Sequence, residues 1–128
     1  MLAGLATRLA PADGLAAIAA APSARAALTA MIAGLAADYP RLRPVARLLE
    51  DNAQTGWQEA RLAACRRIAE RLRDEGALSR HLSLDAAGDL LWSLTGLAMW
   101  DELVTGRGWT ADRYRSHLAY LAVSALTK

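Results

Sequence analysis

Residues 89–100 read DLLWSLTGLAMW, a run in which Leu90, Leu91, Trp92, Leu94, Leu97, Met99 and Trp100 leave almost no polar surface. The spacing is helical, and nothing in the chain alternates with the period of two that a half-buried strand requires. At about 100° per residue, the run and its flanks divide into two apolar sectors. One holds Leu84, Leu91, Trp92, Thr95, Ala98, Met99 and Leu103; the opposite one holds Leu90, Ser93, Leu97, Trp100 and Val104, with Gly96 at its edge. Such a helix needs cover on both sides. Either it is the fully buried centre of a monomer, or its second sector meets another subunit. A patch of Leu90, Leu97, Trp100 and Val104 exceeds what monomers usually leave exposed, which favours a symmetric homodimer.

The helix is expected to begin near Ser83, with Asp85 and Asp89 early in it, and to end at Gly106 or Gly108. Thr110 reads as the N-cap of a last helix running to near the C-terminus. Trp109 and Tyr114 then take positions suited to a hydrophobic staple. In that helix Tyr114, Leu118, Leu121, Ala122 and Ala125 form one stripe, and His117, Tyr120 and Ser124 a second, semi-polar one. The short connection predicts antiparallel neighbours, and two such pairs make a four-helix bundle across a twofold axis. The dimer interface expected from this reading comprises Leu90, Ser93, Leu97, Trp100, Val104, His117, Tyr120 and Ser124.

Upstream the same periodicity continues. Leu2–Leu9 reads as a short helical fragment ended by Pro11 and Gly14, and the Pro/Ala/Gly-rich stretch from Pro11 to Pro22 as a loop. Ser23 is a plausible N-cap for a helix to Asp38, with Leu28, Met31, Ile32 and Leu35 as its stripe. Tyr39-Pro40 is expected to stop it, because a residue before proline is pushed out of the helical region. A short helix follows around Pro44, with Val45, Leu48 and Leu49 inward. The clearest amphipathic helix runs from Trp57 to Glu75, with Leu62, Cys65, Ile68, Ala69 and Leu72 on one face and Gly76 as its C′ residue. Arg66 with Glu70, and Arg71 with Asp74 and Glu75, are spaced to pair on a solvated face. The expectation is a single all-α domain over residues 1–128, a bundle of about five to six helices, with 1–22 as a linker-helix remnant and loop.

Composition narrows the function classes. The chain is 54% hydrophobic and 22% charged, which places it among ordered globular proteins at the apolar end. Phe is absent, so Trp57, Trp92, Trp100, Trp109, the three Tyr and the Leu residues must fill the core. All but one of its 15 basic residues are Arg, yet they are spread among acids and the net charge is only +2. That balance argues against direct nucleic-acid binding. A single Cys precludes an intramolecular disulfide, no leader pattern precedes the helices, and charged residues or Pro break every apolar run. A cytoplasmic protein with no membrane span is expected.

The segment LSLDAAGDLLWSLTGLAMWDELVTGRGWTADRYRSHL, residues 82–118, resembles the C-terminal end of TetR-family transcriptional regulators. The elements that carry the likeness are Asp85-Ala86-Ala87, Leu90-Leu91-Trp92, Leu103-Val104, Gly108-Trp109-Thr110 and Tyr114. Upstream, the helix from Ser23, the short one near Pro44 and the Arg-rich one from Trp57 follow the order expected of that domain. The resemblance implies that the last two helices form the homodimer bundle and that the earlier helices enclose an effector pocket. Ligand binding there would shift the spacing of paired DNA-binding domains. One departure stands out: the helix-turn-helix would need about fifty further residues, and nothing before Ser23 reads as one.

An effector pocket is expected to be apolar with a few polar anchors. Met31, Leu35, Tyr39, Leu48, Leu62, Cys65, Trp92, Thr95 and Met99 are the candidates, although each taken singly reads more simply as core. Trp92 leads them because it sits inside the resembling segment. Thr95 is the kind of residue that bonds its own preceding turn. Cys65 has Arg66 and Arg67 beside it, but its place in the apolar stripe suits an inert thiol. His81 and His117 lack partners at ligand spacing, so no metal is expected. No phosphate loop or nucleophile elbow occurs, and Asp101 and Glu102 point to different helix faces. The expectation is a non-enzymatic, cofactor-free, homodimeric effector-binding domain for a small hydrophobic ligand. Two other readings stay open: a helical interaction module without effector, and a small hydrophobe carrier.

Overall fold

The computed structural model describes residues 12–51 and 56–128, with side chains left aside at 12–15, 43 and 46–51. Among these residues the protein is all-α. It comprises α1 (Ala12–Ala20), α2 (Ala24–Asp51), α3 (Trp57–Asp74), α4 (Leu84–Leu94), α5 (Leu97–Trp100) and α6 (Ala111–Leu126). A π-helical segment, Asp101–Gly106, links α5 to the turn before α6. The only extended pairing among the described residues is an isolated antiparallel bridge between Leu78 and Thr127.

Local chemistry sets most boundaries. The Ser23, Ser83 and Thr110 hydroxyls accept the amides of Ala26, Ala86 and Arg113, so each acts as the N-cap expected of it. At the end of α3, Gly76 takes a left-handed φ of 70°. The Gly76 amide then reaches the Arg73 carbonyl and the Ala77 amide reaches that of Leu72, a Schellman closure. Arg71 pairs with Glu75 at 2.7 Å, as its spacing suggests, whereas Glu70 pairs with Arg67 rather than Arg66.

Three expectations are corrected. Residues 12–20, read as loop, form α1; its Ile18 is buried, and Arg71 Nη1 donates to the Ile18 carbonyl at 2.6 Å, closing the helix end. Pro40 and Pro44 do not end the second helix but lie inside α2. Both are on its exposed side, where water can serve the backbone groups that proline leaves without a partner. Burial of Ala36, Tyr39 and Leu42 on the opposite side holds the helix through them. Finally, the helix expected from Ser83 to Gly106 is interrupted at Thr95-Gly96. The notional fragment Leu2–Leu9 lies outside the described residues.

That interruption places the site. α4 ends at Leu94 with Thr95 as its C-cap, and Gly96 turns extended, with φ −75° and ψ 163°, before α5 begins. One extended residue resets the phase of everything after it. On an unbroken helix Ala98 and Met99 would share the inner sector with Leu91 and Thr95. After the break Leu97 and Trp100 turn inward and are buried, while Ala98 is exposed and Met99 half-buried. The helix with too little polar surface is two short helices that bury opposite sectors in the same core.

The core itself joins α1 to α6. α3 and α4 pack most extensively, α2 lies against both α6 and α3, and α1 rests on α3. At Gly88 a Cβ would come 3.4 Å from the Arg66 Cγ and 3.7 Å from its Cα, so this glycine is what brings α4 close to α3. Trp57, Trp100, Tyr39 and Tyr114 are the largest fully buried side chains, supplying the volume that Phe would otherwise fill.

Candidate functional site

α3 presents one buried edge: Trp57, Arg61, Cys65, Ile68, Ala69 and Leu72. Arg61 therefore occupies a core position in an otherwise apolar row, and is only 5% exposed. Its side chain lies against the broken end of α4. Nη1 donates to the Trp92 carbonyl and, at 3.1 Å, to Thr95 Oγ1; Nη2 donates to Gln58 Oε1 at 2.9 Å. The guanidinium carbon stands 4.6 Å from the centre of the Trp92 ring, a cation–π distance.

Every one of these acceptors is neutral. Among the described residues Arg61 makes no ion pair with a carboxylate. The carbonyls at the C-terminus of α4 carry partial negative charge and stand in for one. This also explains why the helix can stop here inside the protein, since its last carbonyls find partners.

Thr95 is the hub. Its hydroxyl donates to the Leu91 carbonyl at 2.7 Å, the bond to the preceding turn expected of it, while accepting from Arg61. Its carbonyl accepts from the Tyr39 hydroxyl of α2 at 2.7 Å. The Tyr39 ring lies 5.6 Å from that of Trp100, which in turn meets Tyr114 edge-on at 4.8 Å. Three helices thus converge on one break.

Cys65 Sγ is 3.9 Å from Thr95 Oγ1. Burial pushes its thiol up to about 11, against the pull of the Thr95 hydrogen bond and the Arg61 charge. Burial likewise pushes the Tyr114 phenol up to about 12, with Arg61 opposing. Both groups stay protonated at neutral pH, so neither is an activated nucleophile or base. What the cluster offers is hydrogen-bond donation. Among the described residues, Arg61 Nε, Trp92 Nε1 and Trp100 Nε1 are buried without a hydrogen-bond partner. Among the described residues no three His, Cys, Asp or Glu side chains gather to hold a metal.

Of the residues expected to line a pocket, Tyr39, Cys65, Trp92 and Thr95 meet around Arg61. Leu35 is buried in the core, with Met31 and Met99 half-buried against it. Leu62 is half-buried outside that cluster, and the Leu48 side chain lies outside the described residues. Sequence reasoning missed Arg61 and Gln58. Helical spacing in steps of four back from Cys65 runs through Arg61 to Trp57, and the charge on Arg61 hides that continuation from an apolar pattern that begins at Leu62.

The expected interface divides. Leu97 and Trp100 are buried in the chain's own core, and Val104 is half-buried against it, because the break at Gly96 rotates all three away from the sector they were assigned. Leu90, Ser93, His117, Tyr120 and Ser124 are exposed. Leu121, expected inward, is exposed as well, and Ala125 with it. Trp109, expected to staple Tyr114, packs edge-on against His117 at 5.0 Å and beneath Arg113 at 4.5 Å.

No helix of the described residues is long and apolar enough to cross a membrane. Compared with known proteins, the chain has no significant match to any family model, curated protein or solved structure.

Proposed function

We propose that this chain is an effector-binding and dimerisation domain of the type found in TetR-family regulators, contributing no DNA contact of its own. The observation that carries the reading is the Thr95-Gly96 break. It gathers a buried guanidinium, the Trp92 ring, the Tyr39 hydroxyl and a polarised helix end inside an otherwise apolar bundle. An apolar interior with a few placed polar groups is the usual composition of a small-molecule site. The protonated thiol and phenol fit binding rather than catalysis.

Dimerisation rests on the surface. Leu90, Tyr120 and Leu121 are 42%, 76% and 45% exposed, and they are the large hydrophobic side chains in that condition among the described residues. We assign them, with Ser93, His117 and Ser124, to contact with a second copy through α4 and α6. The bundle around that contact is what an effector would rearrange, by preferring one arrangement of the helices over another. A second reading, an interaction module without effector, is favoured by the same exposed face alone.

Two measurements on the purified chain test the proposal. Light scattering should report a dimer, and some members of a panel of small hydrophobes should raise the melting temperature and quench Trp fluorescence. A dimer indifferent to every compound favours the interaction module. A stable monomer that binds nothing overturns both readings.

A further inference from the structure

We infer that α1 is a strap: a clasp between Arg71 and Glu75 closes it onto the bundle, and it opens while the rest of the fold stays intact. The inference goes beyond the effector reading and does not depend on it.

The clasp is built at the end of α3. Arg71 Nε pairs with Glu75 Oε2 at 2.7 Å, and each residue also reaches another helix. Arg71 Nη1 donates to the Ile18 carbonyl near the end of α1 at 2.6 Å. Both Glu75 oxygens accept from the amide of Ala24, the first residue of α2, at 3.0 and 3.1 Å. The two sides of the α1–α2 turn are therefore gripped by opposite charges one helical turn apart. The signs suit the helix ends, a cation at carbonyls and a carboxylate at amides. α2 does not need this help to begin. Ser23 already caps it at the Ala26 amide, and Arg25 Nη2 holds Thr127 Oγ1 at 3.2 Å. What the clasp adds is the attachment of α1.

That attachment is thin. Of the α1 side chains described, Ile18 is buried, while Ala16, Ala17, Ala19 and Ala20 are exposed. α2, by contrast, buries a row from Ala24 to Leu42. A helix of nine residues does not persist in water by itself, so α1 owes its helical form to docking. Arg71 and Glu75 both keep partial contact with water, which can take the place of the Ile18 carbonyl while the pair itself survives. An element held this way belongs to the low-stability end of a fold and opens as a local unit. Opening withdraws Ile18 from the core and uncovers the side of α3 on which α1 rests. The chain thereby changes the apolar surface it presents without unfolding.

Hydrogen exchange on the purified chain, read by mass spectrometry, tests the strap. Amides of residues 16–21 should exchange about a hundredfold or more faster than those around Ile68 and Leu72, as local opening requires. Glu75→Gln, which keeps the shape and loses the charge, should speed α1 exchange about tenfold and leave α3 unchanged, the scale of a charge-assisted hydrogen bond. Ile18→Ala should give the same pattern through a different contact. Arg67→Gln breaks the neighbouring Arg67–Glu70 pair, 3.5 Å long and one turn earlier on α3, and should alter nothing. Wild-type α1 exchanging no faster than α3 overturns the strap. Glu75→Gln with unchanged α1 exchange overturns the clasp, and so does an equal acceleration of α1 and α3. If Glu75→Gln does not fold, the wild-type comparison and Ile18→Ala decide.

Discussion

The Arg61 guanidinium donates to the Thr95 hydroxyl at 3.1 Å, so a charged side chain of α3 closes the last turn of α4 from within the core. Around this contact the protein solves two problems together. The helix end gains partners for its carbonyls, and the buried charge gains the negative end of a helix dipole. The neighbouring residues behave accordingly.

Removing the guanidinium should unbalance the helix end. Arg61→Met keeps much of the side-chain volume but leaves the Trp92 carbonyl and Gln58 without their donor. A loss of about 1.5–3 kcal/mol is expected, the range for hydrogen bonds to a charged group. Urea denaturation measures it. Wild-type stability in Arg61→Met would show that α4 does not depend on this closure.

Tyr39→Phe removes one buried hydroxyl and nothing else. Its bond to the Thr95 carbonyl is 2.7 Å long and joins residues 56 apart in sequence. The variant should lose about 1–2 kcal/mol, including the cost of leaving that carbonyl short of a partner. The same denaturation experiment reads it.

Trp100→Glu and Tyr120→Glu should behave oppositely. Trp100 is buried between Tyr39 and Tyr114, so a carboxylate there should unfold the chain. Tyr120 is 76% exposed, so its replacement, alone or with Leu121→Glu, should leave a folded chain and convert dimer to monomer. Circular dichroism and light scattering separate the two effects. A Tyr120→Glu, Leu121→Glu double variant that remains a dimer would refute the assigned face.

The chain should weaken at alkaline pH in a defined window. An unfolded thiol releases its proton near 9, whereas buried Cys65 holds its own to about 11. Between those values the native state binds more protons than the unfolded one, so stability falls as pH rises and is unaffected below the window. Tyr114 adds a second, higher window, from about 10 to about 12. Urea midpoints from pH 7 to 11 should decline above pH 9, and Cys65→Ala should flatten the first part of that decline.

Gly96→Ala tests what causes the break. The φ of −75° suits any residue, and a Cβ would meet Ser93 O at 3.6 Å and Arg61 Nη2 at 3.7 Å, ordinary contact distances. If Arg61 and Tyr39 hold the break, the variant should fold with a stability change of about 1 kcal/mol or less, the scale of the Gly/Ala propensity difference. A larger change, with altered near-ultraviolet circular dichroism, would mean that glycine itself sets the geometry.

Much of the architecture was legible in the chain because it rests on short-range rules. Ser23, Ser83 and Thr110 each bond an amide three residues on, and Gly76 takes the left-handed turn that follows a helix. The stripe through Cys65, Ile68, Ala69 and Leu72 is buried as its spacing predicts. Of the site, Tyr39, Cys65, Trp92 and Thr95 are legible from residue type and helical spacing. Arg61 is not legible, because a charged residue at the margin of a stripe reads as solvated, and the partners that hold it at α4 lie 31 and 34 residues away.

What the amino-acid sequence determines by itself is an all-helical chain with its caps, its breakers and the composition of its core. Only the tertiary structure decided that Pro40 and Pro44 would be carried through one helix and that residues 84–106 would not form another. Both outcomes turn on packing: burial of Ala36, Tyr39 and Leu42 holds α2 through its prolines, while Arg61 and Tyr39 satisfy the end of α4 at Thr95. With the phase reset at Gly96, Trp100 is directed into the chain's own core, and Leu90, Tyr120 and Leu121 are left outside. No periodicity rule anticipates this, because a single extended residue costs little locally and redirects every side chain beyond it.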